Sequence, residues 1–263
     1  MAEVLKFDKK PDAPPARGGF VSTPTTQNIL RTLELVSSTA DAVTVIAASP
    51  RVGKTTALRF FAGRRQGTLM ITAVDGEGGT WGVACQLMQL LDLGVPNGRN
   101  LMAERQRIAD AIGSDGLLLV DEAQYLVRRN TRGADDWSAF DWLRAMSEEA
   151  YGFSIAFAGD LSLLELADKK PGLWRRAGEG RRLVLRGIER GDVEALAAGF
   201  GLADAASVEA LYQIARREGG LGYVAKIAAI ADRARRAAGL GRVEGGHVLA
   251  AIEYLNLNRL GAK

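Results

Sequence analysis

The sequence predicts an α/β protein: a parallel sheet flanked by helices, followed by a small helical lid. Three observations predict it. Short runs rich in strand formers recur at Val43–Ile46, Thr68–Val74, Leu117–Val120 and Phe153–Ala158, with helical spacing between them, and such alternation builds a parallel sheet. The first run ends in a loop that closes on Gly53-Lys54-Thr55 and then enters a helical stretch, Ala57–Phe61. From residue 188 onward the apolar residues lie three and four apart between glycine breaks, which is a helical pattern.

The composition allows this architecture and excludes several others. A chain of 263 residues makes one large domain or one and a half, and buries a sizeable core without staples. Hydrophobic residues at 47% and charged residues at 25% rule out a chain too polar to fold. The formal charge of +3 permits nucleic-acid binding without demanding it. Cys85 is the only cysteine, so a disulfide framework is excluded and a reducing cytoplasm fits. His247 is the only histidine; histidine triads and multi-histidine metal sites are therefore excluded, and it reads as a lid-surface or helix-start residue. No apolar run approaches the roughly 18 residues of a membrane helix, and residues 1–15 carry no apolar core of a signal peptide. The expected partner set therefore has no membrane in it.

Taken in order, residues 1–19 form a flexible arm punctuated by Pro11, Pro14, Pro15, Gly18 and Gly19. Its Lys6, Lys9, Lys10 and Arg17 read as a solvated tail rather than a polyanion contact. Order begins near Phe20 and Val21, which are candidates for an adenine pocket. Thr25 or Thr26 caps a helix carrying Ile29, Leu30, Leu33 and Val36. The strand at Val43–Ile46 then feeds a phosphate cradle made of Ser49, Pro50, Arg51, Val52, Gly53, Lys54, Thr55 and Thr56. Backbone N–H groups at the helix start point at the phosphates, and the helix dipole favours their charge. In this layout Lys54 reaches the β- and γ-phosphates of ATP and Thr55 holds Mg²⁺. The motif expects glycine where Ala48 stands, a mild defect for a tight turn.

A strand at Thr68–Val74 leads through Gly76, Gly78 and Gly79 to a helix with Val83, Leu87, Leu90 and Leu91 on one face. Trp81, at the start of that helix, reads as core more readily than as a contact residue. Pro96-Asn97-Gly98 marks a turn, and Leu101–Ile112 a further helix. Leu117–Val120 then delivers Asp121 and Glu122 to the sheet's carboxyl edge. There Asp121 holds Mg²⁺ through water, and Glu122 polarises the attacking water. Arg128, Arg129 and Arg132 follow in one loop, as solvated charges or as DNA-contacting candidates. Residues 135–150 read as a helix whose Trp137, Phe140, Trp142, Leu143 and Met146 serve core or subunit contact. Phe153–Ala158 is a fourth strand that ends at Gly159-Asp160. Asp160 occupies the position of a residue that senses the γ-phosphate, with ordinary turn chemistry as the competing role. Six arginines lie between Trp174 and Arg190, around a possible fifth strand at Arg182–Leu185. Arg176 and Arg181 are the first candidates for a finger reaching a neighbouring subunit's nucleotide. Helical segments near 189–200, 205–217, 221–237 and 244–259 complete the lid.

The phosphate loop, the Asp121-Glu122-Ala123-Gln124 run, Gly159-Asp160, the arginine cluster and the lid together resemble an AAA+ ATPase. Asp-Glu-Ala-Gln followed by Tyr125-Leu126 resembles one group within it: the phage Mu B transposition protein, transposon ATPase subunits and secretion-linked ATPases of the ExeA type. The resemblance implies a P-loop fold of AAA+ type, with a core at 20–187 and a lid at 188–263. It further implies a homo-oligomer, ring or filament, that uses ATP and Mg²⁺ on double-stranded DNA without strong sequence preference. Such an assembly delivers target DNA to a transposase or activates it; an ExeA-like envelope-linked ATPase is the alternative. An N-terminal helix-turn-helix region of the Mu B kind has no counterpart in the short arm. The lid segment Gly219–Gly222 lacks the sensor arginine common in the family, with Lys226 as a substitute one turn on. With Ala48 and Asp160, that departure implies slow, switch-like turnover.

Overall fold

A computed structural model describes residues 20–129, 134–148, 152–169, 182–202, 204–255 and 257. The chain divides into two compact units. One is Pro24–Ile188; the other is Glu189 onward together with the residues up to Thr23.

The first unit begins with α1, Pro24–Ser37. Proline suits the first helical position, where its missing N–H is not needed. Thr25 and Thr26 therefore sit buried inside the first turn rather than capping it, beside the buried Ile29, Leu33 and Val36. Next come β1 (Val43–Ala48), α2 (Lys54–Arg64), β2 (Thr68–Thr72), α3 (Thr80–Leu90), α4 (Leu101–Ile112) and β3 (Leu117–Asp121). A single 3₁₀ turn, Ala123–Leu126, leads to a short hairpin of β4 (Arg128–Arg129) and β5 (Asp135–Asp136). Then follow α5 (Ser138–Glu148), β6 (Ser154–Gly159), α6 (Ser162–Lys169) and β7 (Arg182–Leu185).

The sheet is five-stranded and parallel, in the order β2-β3-β6-β1-β7. The three central strands are buried at every position, as continuous apolar runs require when helices cover both faces. The edge strand β7 alternates exposed and half-buried residues. The core joins Val43, Val45, Leu118, Val120, Ile155 and Phe157 of the sheet to α3, α4 and α5. Phe140 of α5 tilts against Phe157 with ring centroids 4.7 Å apart.

Two sequence expectations differ from the structure here. Asp135 and Asp136 pair with the arginine strand instead of opening α5, and the Asp136 carboxylate accepts the Ser138 N–H at 3.0 Å where the helix starts. Trp81 is 46% exposed rather than core. A Cβ on Gly98 would meet its ring at 3.0 Å, so the indole lies over the turn at Pro96–Gly98.

The second unit contains α7 (Arg190–Gly199), α8 (Ala205–Ile214), a π-helical stretch at Ala215–Gly219, α9 (Gly220–Ala237) and α10 (Gly245–Tyr254). The break before α9 falls at Gly220, whose φ of +55° and ψ of −167° suit glycine. Helix starts are capped by side chains: the Glu189 N–H by Asp192 at 3.1 Å and the Ser207 N–H by Asp204 at 2.8 Å. His247 is a helix-start residue as expected, its Nδ1 accepting the Glu244 N–H at 3.0 Å. Val21 packs where a Cβ on Gly199 would meet it at 3.1 Å, so this stretch belongs with the helical unit. Among the described residues no helix is long and apolar enough to cross a membrane.

Candidate active site

The strand order brings the carboxyl ends of β1, β3 and β6 side by side, and each end carries one part of the site. Ala48 is the last residue of β1. It is 1% exposed and pairs in register with Leu185 of β7. Its backbone is ordinary strand rather than turn, so the expected defect of a missing glycine has no conformational basis here. The turn falls later. Arg51 takes φ +63° and Gly53 takes φ +96°, ψ +8°, and Gly53 is the N-cap of α2. Gly53 supplies the left-handed geometry without strain, and no side chain caps the helix start. The Ser49 N–H donates to the Leu185 carbonyl at 2.8 Å, tying the loop entrance to the sheet edge.

From this helix start Lys54 and Thr55 point at the end of β3. The Lys54 ammonium is 3.0 Å from Asp121 Oδ1 and 3.1 Å from Glu122 Oε1. Lys54 is only 8% exposed and Asp121 2%, so two charges withdrawn from water neutralise each other. The Thr55 hydroxyl donates to Asp121 Oδ2 at 2.6 Å. Four of the residues that the sequence assigned to phosphate, metal and water, Lys54, Thr55, Asp121 and Glu122, thus meet at one point. The hydroxyl and carboxylate side by side fit Mg²⁺, a hard cation that takes one or two protein oxygens and otherwise phosphate and water. Among the described residues no cluster of three or more His, Cys, Asp or Glu could hold a metal by itself.

Glu122 carries φ +54°, a left-handed conformation rare for a residue with a side chain. It turns the chain out of β3 into the 3₁₀ turn, and Gln124 comes back beside it. The Gln124 carboxamide donates to Glu122 Oε2 at 2.7 Å and accepts the Asp160 N–H at 3.2 Å. Sequence reasoning assigned Gln124 no role beyond marking a family run. Its partner lies 36 residues away, just past the end of β6, and only the strand order makes them neighbours. The Asp160 carboxylate makes the turn contacts named as its competing role: Oδ1 accepts from the N–H of Ser162 at 2.9 Å and from the Ser162 hydroxyl at the start of α6.

Of the DNA-contact candidates, Arg128 is exposed and folds back over the start of α3, where a Cβ on Gly79 would lie 2.8 Å from its Nη1. The Ser138 N–H and hydroxyl hold the Asp136 carboxyl below the usual carboxylate range, and the Arg128 charge adds to this. The Arg129 side chain, Arg132, Arg176, Arg181 and the arm at 1–19 lie outside the described residues. Gly78 is the tightest point of the neighbourhood, since a Cβ there would sit 1.9 Å from the Tyr125 carbonyl oxygen.

A parallel sheet with a lysine-bearing helix start facing an Asp-Glu strand end defines a P-loop ATPase. Two family descriptions match the chain: "AAA domain" over residues 38–166 and "Mu B transposition protein, C terminal" over residues 178–255. The chain is an AAA+ ATPase of the Mu B transposition protein type. No curated protein matches its sequence.

Solved structures share the fold. Drosophila ORC bound to DNA is 17% identical with a TM-score of 0.58, the alignment covering 95% of this chain and 70% of that one. Aeropyrum pernix ORC2 in its ADPNP-ADP complexes is 16% identical at TM-score 0.59, over 94% and 71%. The Thermotoga maritima RuvB Holliday junction branch migration motor is 16% identical at TM-score 0.53, over 92% and 72%.

Proposed function

We propose that this ATPase assembles as an ATP-bound homo-oligomer on double-stranded DNA and delivers that DNA to a transposase or activates it. The observation that carries the reading is the match of residues 178–255 to the C-terminal region of the Mu B transposition protein, on a chain whose phosphate site is assembled. Lys54 leaves its carboxylates to meet the β- and γ-phosphates of ATP. Thr55 and Asp121, already in contact at 2.6 Å, are the residues that would hold Mg²⁺. The metal, when bound, neutralises charge on the phosphates. Glu122 orients and polarises the attacking water. An arginine from a neighbouring subunit, Arg176 or Arg181, completes the site and couples hydrolysis to the subunit boundary. Arg128, Arg129 and Arg132 meet the DNA backbone, where phosphate contacts give affinity without sequence preference.

The test is DNA binding by the purified chain with ATP·Mg²⁺ against ADP·Mg²⁺. Binding at low salt with ATP, falling steeply as salt rises, is expected. Absence of DNA binding with ATP·Mg²⁺ at low salt contradicts the proposal.

A further inference from the structure

We propose that Gln124 is a positioning residue for ATP hydrolysis, a carboxamide bridge that fixes Glu122 to the backbone of β6, and that Gly159 is glycine to make room for it. The inference rests on the reading of Glu122 as the water-polarising residue.

The two oxygens of Glu122 have different holders. Lys54 contacts Oε1 at 3.1 Å, and Gln124 donates to Oε2 at 2.7 Å. The first contact competes with nucleotide, because the phosphate cradle needs the same ammonium. Once Lys54 turns to phosphate, Gln124 is the group that still sets the carboxylate's direction. Glu122 is a third exposed by its side chain and needs such a support, since a mobile carboxylate forfeits the orientation on which general-base catalysis depends.

The bridge has a defined polarity. The Asp160 N–H can only donate, so the carboxamide oxygen faces it and the NH₂ group is turned to Glu122. A glutamate in place of Gln124 cannot make both bonds while ionised. The far anchor is backbone, which does not swing away as a side chain can. The space is also set from β6. A Cβ on Gly159 would lie 2.5 Å from Gln124 Oε1 and 3.1 Å from Leu163 Cδ2. Gly159 lies within a buried strand and is not among the positive-φ glycines, so close approach rather than conformational freedom explains it.

The experiment uses five variants of the full chain: Gln124→Leu, Gln124→Glu, Gly159→Ala, Glu122→Gln and the double variant Gly159→Ala/Gln124→Leu. Steady-state ATP hydrolysis, affinity for a fluorescent ADP analogue and thermal melting are measured for each. Glu122→Gln lowers kcat by about 10²–10⁴-fold if the reading of Glu122 holds. Wild-type kcat in that variant defeats that reading itself. Gln124→Leu lowers kcat about 10–100-fold, the range seen when a supporting partner of a catalytic group is removed, with KM and ADP affinity unchanged. Gly159→Ala gives the same phenotype by displacing the carboxamide from the opposite side. The double variant Gly159→Ala/Gln124→Leu is no worse than Gln124→Leu alone, because both remove one bridge.

Gln124→Glu keeps the side chain's size but has no NH₂ group to donate to Glu122, so kcat falls as in Gln124→Leu while KM and ADP affinity stay unchanged, a split that lost packing alone would not give. Wild-type kcat in Gln124→Leu, while Glu122→Gln is impaired, overturns the bridge and leaves the role of Glu122 standing. A fall in ADP affinity as large as the fall in kcat also overturns it, by making Gln124 part of the cradle's general support. Wild-type kcat in Gln124→Glu counts against it as well.

Discussion

The protein carries two kinds of ion-pair cluster, and they differ in burial more than in composition. At the carboxyl edge of the sheet Lys54 stands between Asp121 and Glu122 with 8% of its surface exposed. In the helical unit Asp232 sits between Arg235 and Arg236, and Arg190 joins Glu194 and Glu209 at 2.9 and 2.6 Å. The second kind lies on helix surfaces at three- and four-residue spacing or between exposed side chains, where water screens the pair and side-chain entropy offsets it. The first kind is built from two segments far apart in sequence and costs desolvation, which its pairing offsets only while all members are present. A surface pair holds a helix together locally. A buried cluster whose cation can turn to another anion holds a site ready for that anion.

Lys54→Ala tests the difference at its largest. It strands the buried Asp121 carboxylate, so a loss of about 3 kcal/mol in denaturant unfolding is expected, together with loss of ATP turnover. A variant as stable as the wild type would put this cluster with the surface pairs. Gly78→Ala probes the packing behind the cluster, because its Cβ would lie 1.9 Å from the Tyr125 carbonyl oxygen. Overpacking against backbone is expected to cost about 2 kcal/mol, read in the same unfolding experiment.

In the helical unit, Asp204→Ala removes an N-cap bond to Ser207 and should cost about 1 kcal/mol. The pH dependence sharpens this. The Ser207 hydroxyl and N–H hold the Asp204 carboxyl below its ordinary value, and Arg236 with Arg235 does the same for Asp232. A carboxyl whose folded value is lowered contributes stability that is full above its unfolded value, near 3.9. That contribution fades as pH falls below about 4 and through the lowered folded value. Thermal melting from pH 6 to pH 2 should show this loss, and Asp204→Ala should show a smaller one. Arg190→Ala is the smallest effect: its partners are exposed, and the melting temperature should stay where it was.

Much of the fold was legible because burial wrote it plainly. The central strands are covered on both faces and must be apolar without interruption, so Val43–Ile46, Leu117–Val120 and Phe153–Ala158 could be read as strands. The site residues were legible for a related reason: a phosphate loop and an acidic strand end are each contiguous in sequence. What could not be read depends on non-local register. Gln124 acquires its role only because β6 lies beside β3, which places the Asp160 N–H within reach. Ala48 looked like a flawed turn because letter spacing does not say where a strand ends; pairing with Leu185 extends β1 through it. Asp135 and Asp136 have helix-start composition, yet two arginines seven positions earlier recruit them into a hairpin.

The proposed function makes the Lys54–Asp121–Glu122 cluster the ATP-hydrolysing half of a switch that releases an assembly from DNA. The measurement that tests it most directly is the lifetime of the Glu122→Gln protein on duplex DNA after ATP·Mg²⁺ is added, followed by electron microscopy beside the wild type. The expected result is assemblies that form with ATP and persist while wild-type assemblies fall apart. Glu122→Gln assemblies that disappear at the wild-type rate would contradict it.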